Sequence, residues 1–377
     1  MPEGIHEAFP DALAAWLADR LREESGARVT GVRLGPLERP KAGQSSEMVI
    51  FGARWREEGR ERSAEFVLRR QPGPGGIFLH PDAVREARVL RALASRSRAP
   101  VPAVRWVEPD ADVLGGPFFV MDRVPGRVPA AKPSIHSHGW LVPLSPAERR
   151  RLWESAMDAL VAVHSTPWRE SHAFLLEEGV EPGLESHLRR TAQWYRWAAD
   201  GRPFPTTDAA LAYLMDRRAE VAAGEPVLVW GDARIGNMIF GPDLSVAAVL
   251  DWEVACVGPA AIDVAHWLVF DEFATAACGV DRLDGFPGRS ETIARYEAAS
   301  GRTLRDLDFF EILQAFFLAT TLIRQADAKI RTGTLPAGSR MAHGNALTQM
   351  LARRLGLPVP DLAEDYLAHR YASPGTA

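Results

Sequence analysis

The hydrophobic pattern of this chain changes period near residue 124, and that change restricts the fold more than any single motif. Before it, short runs rich in β-branched and aromatic residues alternate with turns: Val29–Leu34, Met48–Trp55, Ala64–Arg69, Val104–Val107 and Pro117–Val124. Two segments instead follow helical spacing. Asp11–Glu24 places Leu13, Leu17 and Leu21 on one face, and Asp82–Ala94 does the same with Val84, Ala87, Leu90 and Leu93. Five strands in this order, interrupted by one main helix, predict a small antiparallel α+β lobe over residues 1–124.

Residues 125–377 read as a second, larger and mostly helical lobe. It opens on a Pro-, Gly-, His- and Ser-rich connection, 125–143, with no periodicity. Ser145 and Glu148 then form a capping box with Pro146 at the first helical position, and Leu152, Ala156, Leu160 and Val163 give that helix its buried face. Further helices are expected over about 184–200, 207–223, 260–273, 289–299, 305–331, 339–355 and 360–370. A short β island interrupts them, with strands at Val227–Val229, Met238–Phe240 and Val246–Leu250.

Composition excludes several classes. A formal charge of −5, with 25% charged and 46% hydrophobic residues, fits a globular protein and gives no footprint for nucleic acid or a polybasic membrane contact. Only three of the 44 basic residues are lysines, Lys41, Lys132 and Lys329, and none follows a glycine, so the chain has no G-x-x-x-x-G-K-[ST] phosphate loop. Two cysteines, Cys256 and Cys278, cannot build a disulfide framework and are expected as buried thiols. The acidic, proline-bearing N-terminus does not read as a secretory signal. The apolar stretch Phe309–Ile323 holds Glu311 and Gln314 and is shorter than the roughly 20 residues that span a bilayer. A cytoplasmic location is expected; oligomeric state has no signature.

The β island carries the chemistry. Val229-Trp-Gly-Asp-Ala-Arg-Ile-Gly-Asn237 sets an aspartate and an asparagine five apart on a tight loop, and a second aspartate, Asp251, follows an apolar strand fourteen residues later. Phosphoryl transfer asks a protein mainly for positioning and charge neutralisation. Asp232 would orient an acceptor hydroxyl and take its proton. Asn237 and Asp251 would offer oxygen ligands to Mg²⁺, which shares its shell with ATP phosphates and water. Arg234 would point a fixed charge at the moving phosphoryl group.

This D-x-x-x-x-N loop followed by Asp251-Trp-Glu253 resembles the phosphotransferase family of aminoglycoside and choline kinases, which has a protein-kinase-like bilobal fold, and is especially similar to its acyl-CoA-dehydrogenase-associated branch. The resemblance covers roughly residues 28–350 and implies a five-stranded lobe with one helix, a hinge, and a helical lobe with the catalytic loop. It implies Asp232 as base and Asn237 and Asp251 as metal ligands. Arg234 matches a position that holds lysine in protein kinases and histidine in many small-molecule kinases. Ala42-Gly-Gln-Ser-Ser46 is similar to the loop over the nucleotide phosphates, with Ser45 as a contact. Arg69 stands where lysine normally pairs the α- and β-phosphates, Glu86 matches the helix glutamate that holds that cation, and Met121 lies in the adenine-reading hinge. Asp263 resembles the aspartate that braces the catalytic loop. Three positions depart from the family: Trp230 replaces histidine, Arg69 replaces lysine, and Ser46 replaces asparagine.

Each of these residues has an ordinary alternative. Asp and Asn on a loop are commonly turn formers. His136 and His138 are expected in a solvated loop, and His164 as a buried histidine with satisfied nitrogens. Trp153, Trp168, Trp194 and Trp197 are expected chiefly in the core, with the cluster at 194–197 near an acceptor site. Taken together, the chain is expected to be an ATP- and Mg²⁺-dependent kinase of a small-molecule hydroxyl, of aminoglycoside phosphotransferase type. The alternatives are a kinase of a hydroxyacyl thioester or related metabolite, and an idle nucleotide-binding regulator. Arg69 should lie within salt-bridge reach of Glu86 if the nucleotide site is built this way.

Overall fold

A computed structural model describes residues 9–39, 47–73, 75–130 and 133–371. In chain order the elements are α1 Phe9–Ser25, β1 Val29–Leu34, β2 Glu47–Glu57, β3 Arg60–Arg70, α2 Ala83–Arg96, β4 Val104–Glu108, α3 Ala111–Leu114 and β5 Phe118–Asp122. They continue with α4 Pro146–His164, α5 Trp168–Ser171, α6 Leu184–Ala199, α7 Pro205–Arg217, β6 Pro226–Val229, β7 Met238–Phe240, β8 Val246–Val249 and β9 Cys256–Pro259. The last are α8 Ala261–Ala274, α9 Arg289–Ser300, α10 Leu307–Arg331, α11 Ala346–Leu355 and α12 Glu364–Tyr371. The fold is α+β, as expected. The chain divides into two compact units, one of residues 1–76, 80–91 and 102–124, the other of 77–79, 92–101 and 125–377.

In the first unit five antiparallel strands run in the order β1-β2-β3-β5-β4. Side chains alternate across a strand, so each strand sorts its residues onto two faces. Phe51, Phe66, Leu68, Phe118 and Val120 cover one face and pack against Leu13, Trp16 and Leu17 of α1. Trp16 meets Phe118 edge-on at 4.7 Å, and its indole N–H donates to Glu108 at 2.8 Å. On the other face Val67 pairs with Met121 and Arg69 with Phe119, and all four are buried.

The second unit is built on α10, 25 residues long, which packs against α6, α7, α8 and α11. Phe310, Leu313, Phe316 and Ile323 of α10 are buried. Among the described residues no helix is long and apolar enough to cross a membrane. The β island forms two ribbons, β6 with β9 and β7 with β8. Strand β9 carries no hydrophobic alternation that would announce it. Two helices are shorter than the periodicity predicts. Helix α7 stops at Arg217 and tightens into a 3₁₀ turn, Arg218–Glu220. Helix α11 begins only at Ala346, because the Asn345 side chain accepts from the N–H groups of Leu347 and Thr348 and fixes the start.

Candidate active site

The site grows from the turn after β6. Gly231 has φ +93°, and a Cβ there would fall 2.8 Å from the Val254 carbonyl oxygen, so only glycine fits. This bend carries the chain from a buried strand into the loop bearing Asp232. The bend is held from below by Asp263 of α8, whose carboxylate accepts from the backbone N–H groups of Trp230 and Gly231, each at 2.7 Å. Burial raises the Tyr296 phenol well above its ordinary range, so its O–H is available to donate to His164 Nδ1 at 2.7 Å. His164 Nε2–H then donates to Asp263 at 2.9 Å. The buried histidine expected from sequence is therefore one link in a buried chain that ends at the loop backbone.

Trp230 braces the loop by hydrogen bonding as well as by packing. Its side chain is fully buried beside Trp252, with ring centroids 5.9 Å apart. Its indole N–H donates to the carbonyls of Leu250 at 2.7 Å and Asp251 at 3.2 Å. The departure from histidine thus ties the Asp232 loop to the Asp251 turn. Asp251 sits in left-handed backbone, φ +59°, a conformation rare for non-glycine residues and concentrated at functional sites. The neighbouring Leu250 N–H donates to the Asn237 carbonyl at 2.9 Å, which brings the two predicted ligand positions into adjoining turns.

Asp232 is surrounded by donors. Oδ1 accepts from Arg234 Nε at 3.1 Å and from His266 Nε2 at 2.9 Å, and Oδ2 accepts from the Asn237 amide nitrogen. Burial would raise the Asp232 carboxyl, but the Arg234 guanidinium and His266 outweigh it and hold the group well below the usual carboxylate range. Its side chain remains 26% exposed, so solvent or a ligand reaches it. A carboxylate only accepts, so the Asn237 amide must face it with nitrogen. That leaves the amide oxygen for another donor or a cation. The Asn237 amide oxygen and the Asp251 carboxylate are hard oxygen donors of the kind Mg²⁺ takes when phosphates and water complete its shell. Among the described residues no cluster of three or more His, Cys, Asp or Glu converges to hold a metal, so this pair is what the loop offers.

Arg234 stays close to the loop that carries it. It folds onto Asp232 and lies over the Phe270 ring at 4.8 Å. Gly236 makes room for it, since a Cβ at that position would fall 2.5 Å from Arg234 Nη1. Beyond Arg234 lies a cavity lined mostly by apolar groups, among them Ile135, Trp153, Trp267, Phe270 and Phe286. Its one acidic member, Asp271, is engaged by Arg282 and by His136, whose Nε2 lies 3.4 Å away. His136 is buried at 4% exposure rather than solvated, because the connection folds inward and Leu283 N–H donates to its Nδ1. His138 stays at the surface and contacts Ser137.

In the first unit Arg69 and Glu86 face each other, with Arg69 Nε 3.3 Å from Glu86 Oε1 and side chains 4% and 5% exposed. Met121 lies on the same sheet face as Arg69. Arg70 points to the opposite face and pairs with Glu47. Ser45 and its loop lie outside the described residues. Trp153, Trp168 and Trp194 are core residues, and Trp194 stacks on Phe78 and meets Phe317 at a tilt. Cys256 and Cys278 are buried, as expected.

Sequence reasoning missed His266 and its partner Gln314, whose Oε1 lies 3.0 Å from His266 Nδ1. Both are polar residues inside apolar helical runs, and a buried polar group calls for a partner. That signal was present, but nothing local named the partner.

The chain is similar to known proteins in sequence and in fold. "Probable acyl-CoA dehydrogenase IBR3" of Arabidopsis thaliana is 28% identical over 323 residues, which are 81% of this chain and 36% of that protein. The chain thus spans about a third of the length of the curated relatives it matches. A Ralstonia eutropha crystal structure bearing the name of an aminoglycoside phosphotransferase aligns over 92% of this chain and 98% of its own, with a TM-score of 0.64 and 24% identity. Choline kinase LicA from Streptococcus pneumoniae aligns over 90% and 99%, with a TM-score of 0.54 and 12% identity. The family model described as "Phosphotransferase enzyme family" (APH) matches residues 39–309, and the chain belongs to that family.

Proposed function

We propose that this chain moves the γ-phosphoryl group of ATP to a hydroxyl of a small molecule with an apolar body. The observation that carries the reading is the Asp232 carboxylate, held ionised by Arg234 and His266, contacted by Asn237 and yet partly exposed, on a loop tied to Asp251. Mg²⁺, held by Asn237 and Asp251, would neutralise charge on the phosphates.

Asp232 acts first as an acceptor of the substrate hydroxyl's hydrogen bond. So acidic a carboxylate does not strip an alcohol beforehand. The proton passes to it as the new P–O bond forms, the bond to the leaving ADP oxygen breaks, and the attacking oxygen becomes acidic. Arg234 supplies positive charge beside the reacting groups. Arg69, oriented by Glu86, would meet the α- and β-phosphates, and the backbone at Met121 would read adenine.

Two observations favour a hydroxyacyl thioester or related metabolite over an amino sugar as acceptor. The cavity beside Arg234 is largely apolar and its carboxylate is already engaged, which leaves little to hold an ammonium group. The curated relatives bear acyl-CoA dehydrogenase names. A turnover screen with ATP and Mg²⁺ across hydroxyacyl thioesters, hydroxy acids and amino sugars tests both levels. Turnover on the first two and not the third supports the reading. ATP binding by calorimetry without turnover on any acceptor would leave the idle regulator instead.

A further inference from the structure

Asp232 owes its orientation to a buried pair that lies outside its own loop. His266 of α8 is fully buried, with Nε2 2.9 Å from Asp232 Oδ1 and Nδ1 3.0 Å from Gln314 Oε1 of α10. The ring is also flanked by Phe270, with centroids 5.3 Å apart, and by Phe317 at 6.2 Å, so it has little freedom to turn. Since an ionised carboxylate only accepts, His266 Nε2 must be the donor.

We propose that His266, oriented by Gln314, is a positioning residue that fixes the Asp232 carboxylate for the acceptor hydroxyl. The assignment rests on Asp232 being the acceptor-orienting group. Count the lone pairs in the plane of the carboxylate. Oδ1 receives two donors, His266 and Arg234, whereas Oδ2 receives one, Asn237. The vacant direction for a substrate hydroxyl is therefore at Oδ2. His266 and Arg234 together keep Oδ1 occupied and stop the carboxylate from rotating. Arg234 is partly exposed, at 21%, and reaches from the same loop, whereas His266 is fully buried in the helical core. The fixed reference is thus the histidine.

The arrangement also joins Asp232 to the cavity. Phe270 follows His266 by one helical turn, lines the cavity and carries Arg234 over its ring. An acceptor body resting against Phe270 presses on the same turn of α8 that sets Asp232.

The test compares His266→Leu, which removes the donor, with His266→Gln, whose amide nitrogen restores one at similar reach. Turnover is measured on the acceptor found by the screen, and a crystal structure of each variant is determined. His266→Leu is expected to lower kcat about 10²-fold, the size of loss that a misplaced catalytic group produces, with KM for ATP unchanged. Its Asp232 carboxylate should leave the wild-type position. His266→Gln should recover most of the rate and the carboxylate position. Wild-type kcat in His266→Leu, or an unmoved Asp232, would overturn the role of His266 while leaving the phosphotransfer reading intact. If the wild-type protein turns over no acceptor at all, the phosphotransfer reading fails and this role fails with it. Should His266→Leu not fold, Gln314→Leu removes only the ring's second anchor; an unchanged kcat and Asp232 position in that variant would equally overturn the proposal.

Discussion

Each unit of this molecule holds a pair of opposite charges in close contact, and the two are built differently. Arg69 and Glu86 are sealed, at 4% and 5% side-chain exposure, one on a central strand and the other on the helix that follows. Asp232 is ringed by three donors and still 26% exposed. A sealed pair fixes geometry, because removing either partner strands a charge in a medium that solvates it badly. A partly exposed carboxylate with three donors has its charge state fixed and one lone-pair direction left for a ligand. The first arrangement should answer to mutation mainly in stability, and the second mainly in rate.

The sharpest break in that contrast comes from Asp232→Asn. It keeps the shape, removes the charge and the proton acceptor, and should lower kcat at least 10³-fold, within the range of general-base losses, while ATP affinity by calorimetry stays near wild type. Full activity would remove Asp232 from the chemistry. The pH dependence has a definite sign. The folded-state carboxyl lies below its unfolded value of about 3.9, so ionised Asp232 contributes stability above that pH and the contribution fades as pH falls below it. The stability difference between wild type and Asp232→Asn should be flat from about pH 5 to 7 and shrink only in stronger acid. The acid limb of kcat/KM should likewise not be set by Asp232.

Glu86→Ala tests the other half. It leaves Arg69 buried without its carboxylate and should cost about 3–5 kcal/mol in denaturant unfolding, whereas Arg69→Met with Glu86→Leu should be nearly neutral. Both should weaken ATP binding if Arg69 meets phosphate. A stable double variant that binds ATP normally would reduce the pair to a structural role.

Gly231→Ala should cost about 1–3 kcal/mol from its left-handed backbone, with additional loss from the contact at the Val254 carbonyl. Because Asp232 follows directly, kcat should fall more steeply than stability. An equal, small loss in both would show that the bend tolerates a side chain.

How much of this was legible beforehand follows the range of the interactions. The strands of the first unit, the capping box at Ser145 and the Asp232–Asn237 loop rest on patterns a few residues long and read directly from sequence, whereas the sheet order, which sets β5 between β3 and β4, does not. The Arg69–Glu86 pairing came from the resemblance, since nothing local joins a strand residue to one seventeen positions on. His266, 34 residues from Asp232, and Gln314, a further 48, meet only because α8 packs on α10. His136 was misjudged for the same reason: a loop without periodicity gives no sign that it folds inward onto Asp271. The orientation of Arg234 depends on the missing Cβ of Gly236 and the face of Phe270, and no spacing rule encodes it.

The smallest effect, and the finest test of the contrast, concerns Trp230. Phenylalanine there keeps most of the packing against Trp252 but lacks the N–H that reaches the Leu250 and Asp251 carbonyls. Losing that donor should cost about 1 kcal/mol of stability, a typical net value for one hydrogen bond. The functional consequence is distinct, because the same bond ties the Asp232 loop to the turn at Asp251. If the tie holds a metal ligand in place, Trp230→Phe should raise the Mg²⁺ concentration needed for half-maximal turnover while leaving the pH profile alone. If Trp230 only fills space, Mg²⁺ dependence will not move, and the strained Asp251 backbone must be held by its other contacts.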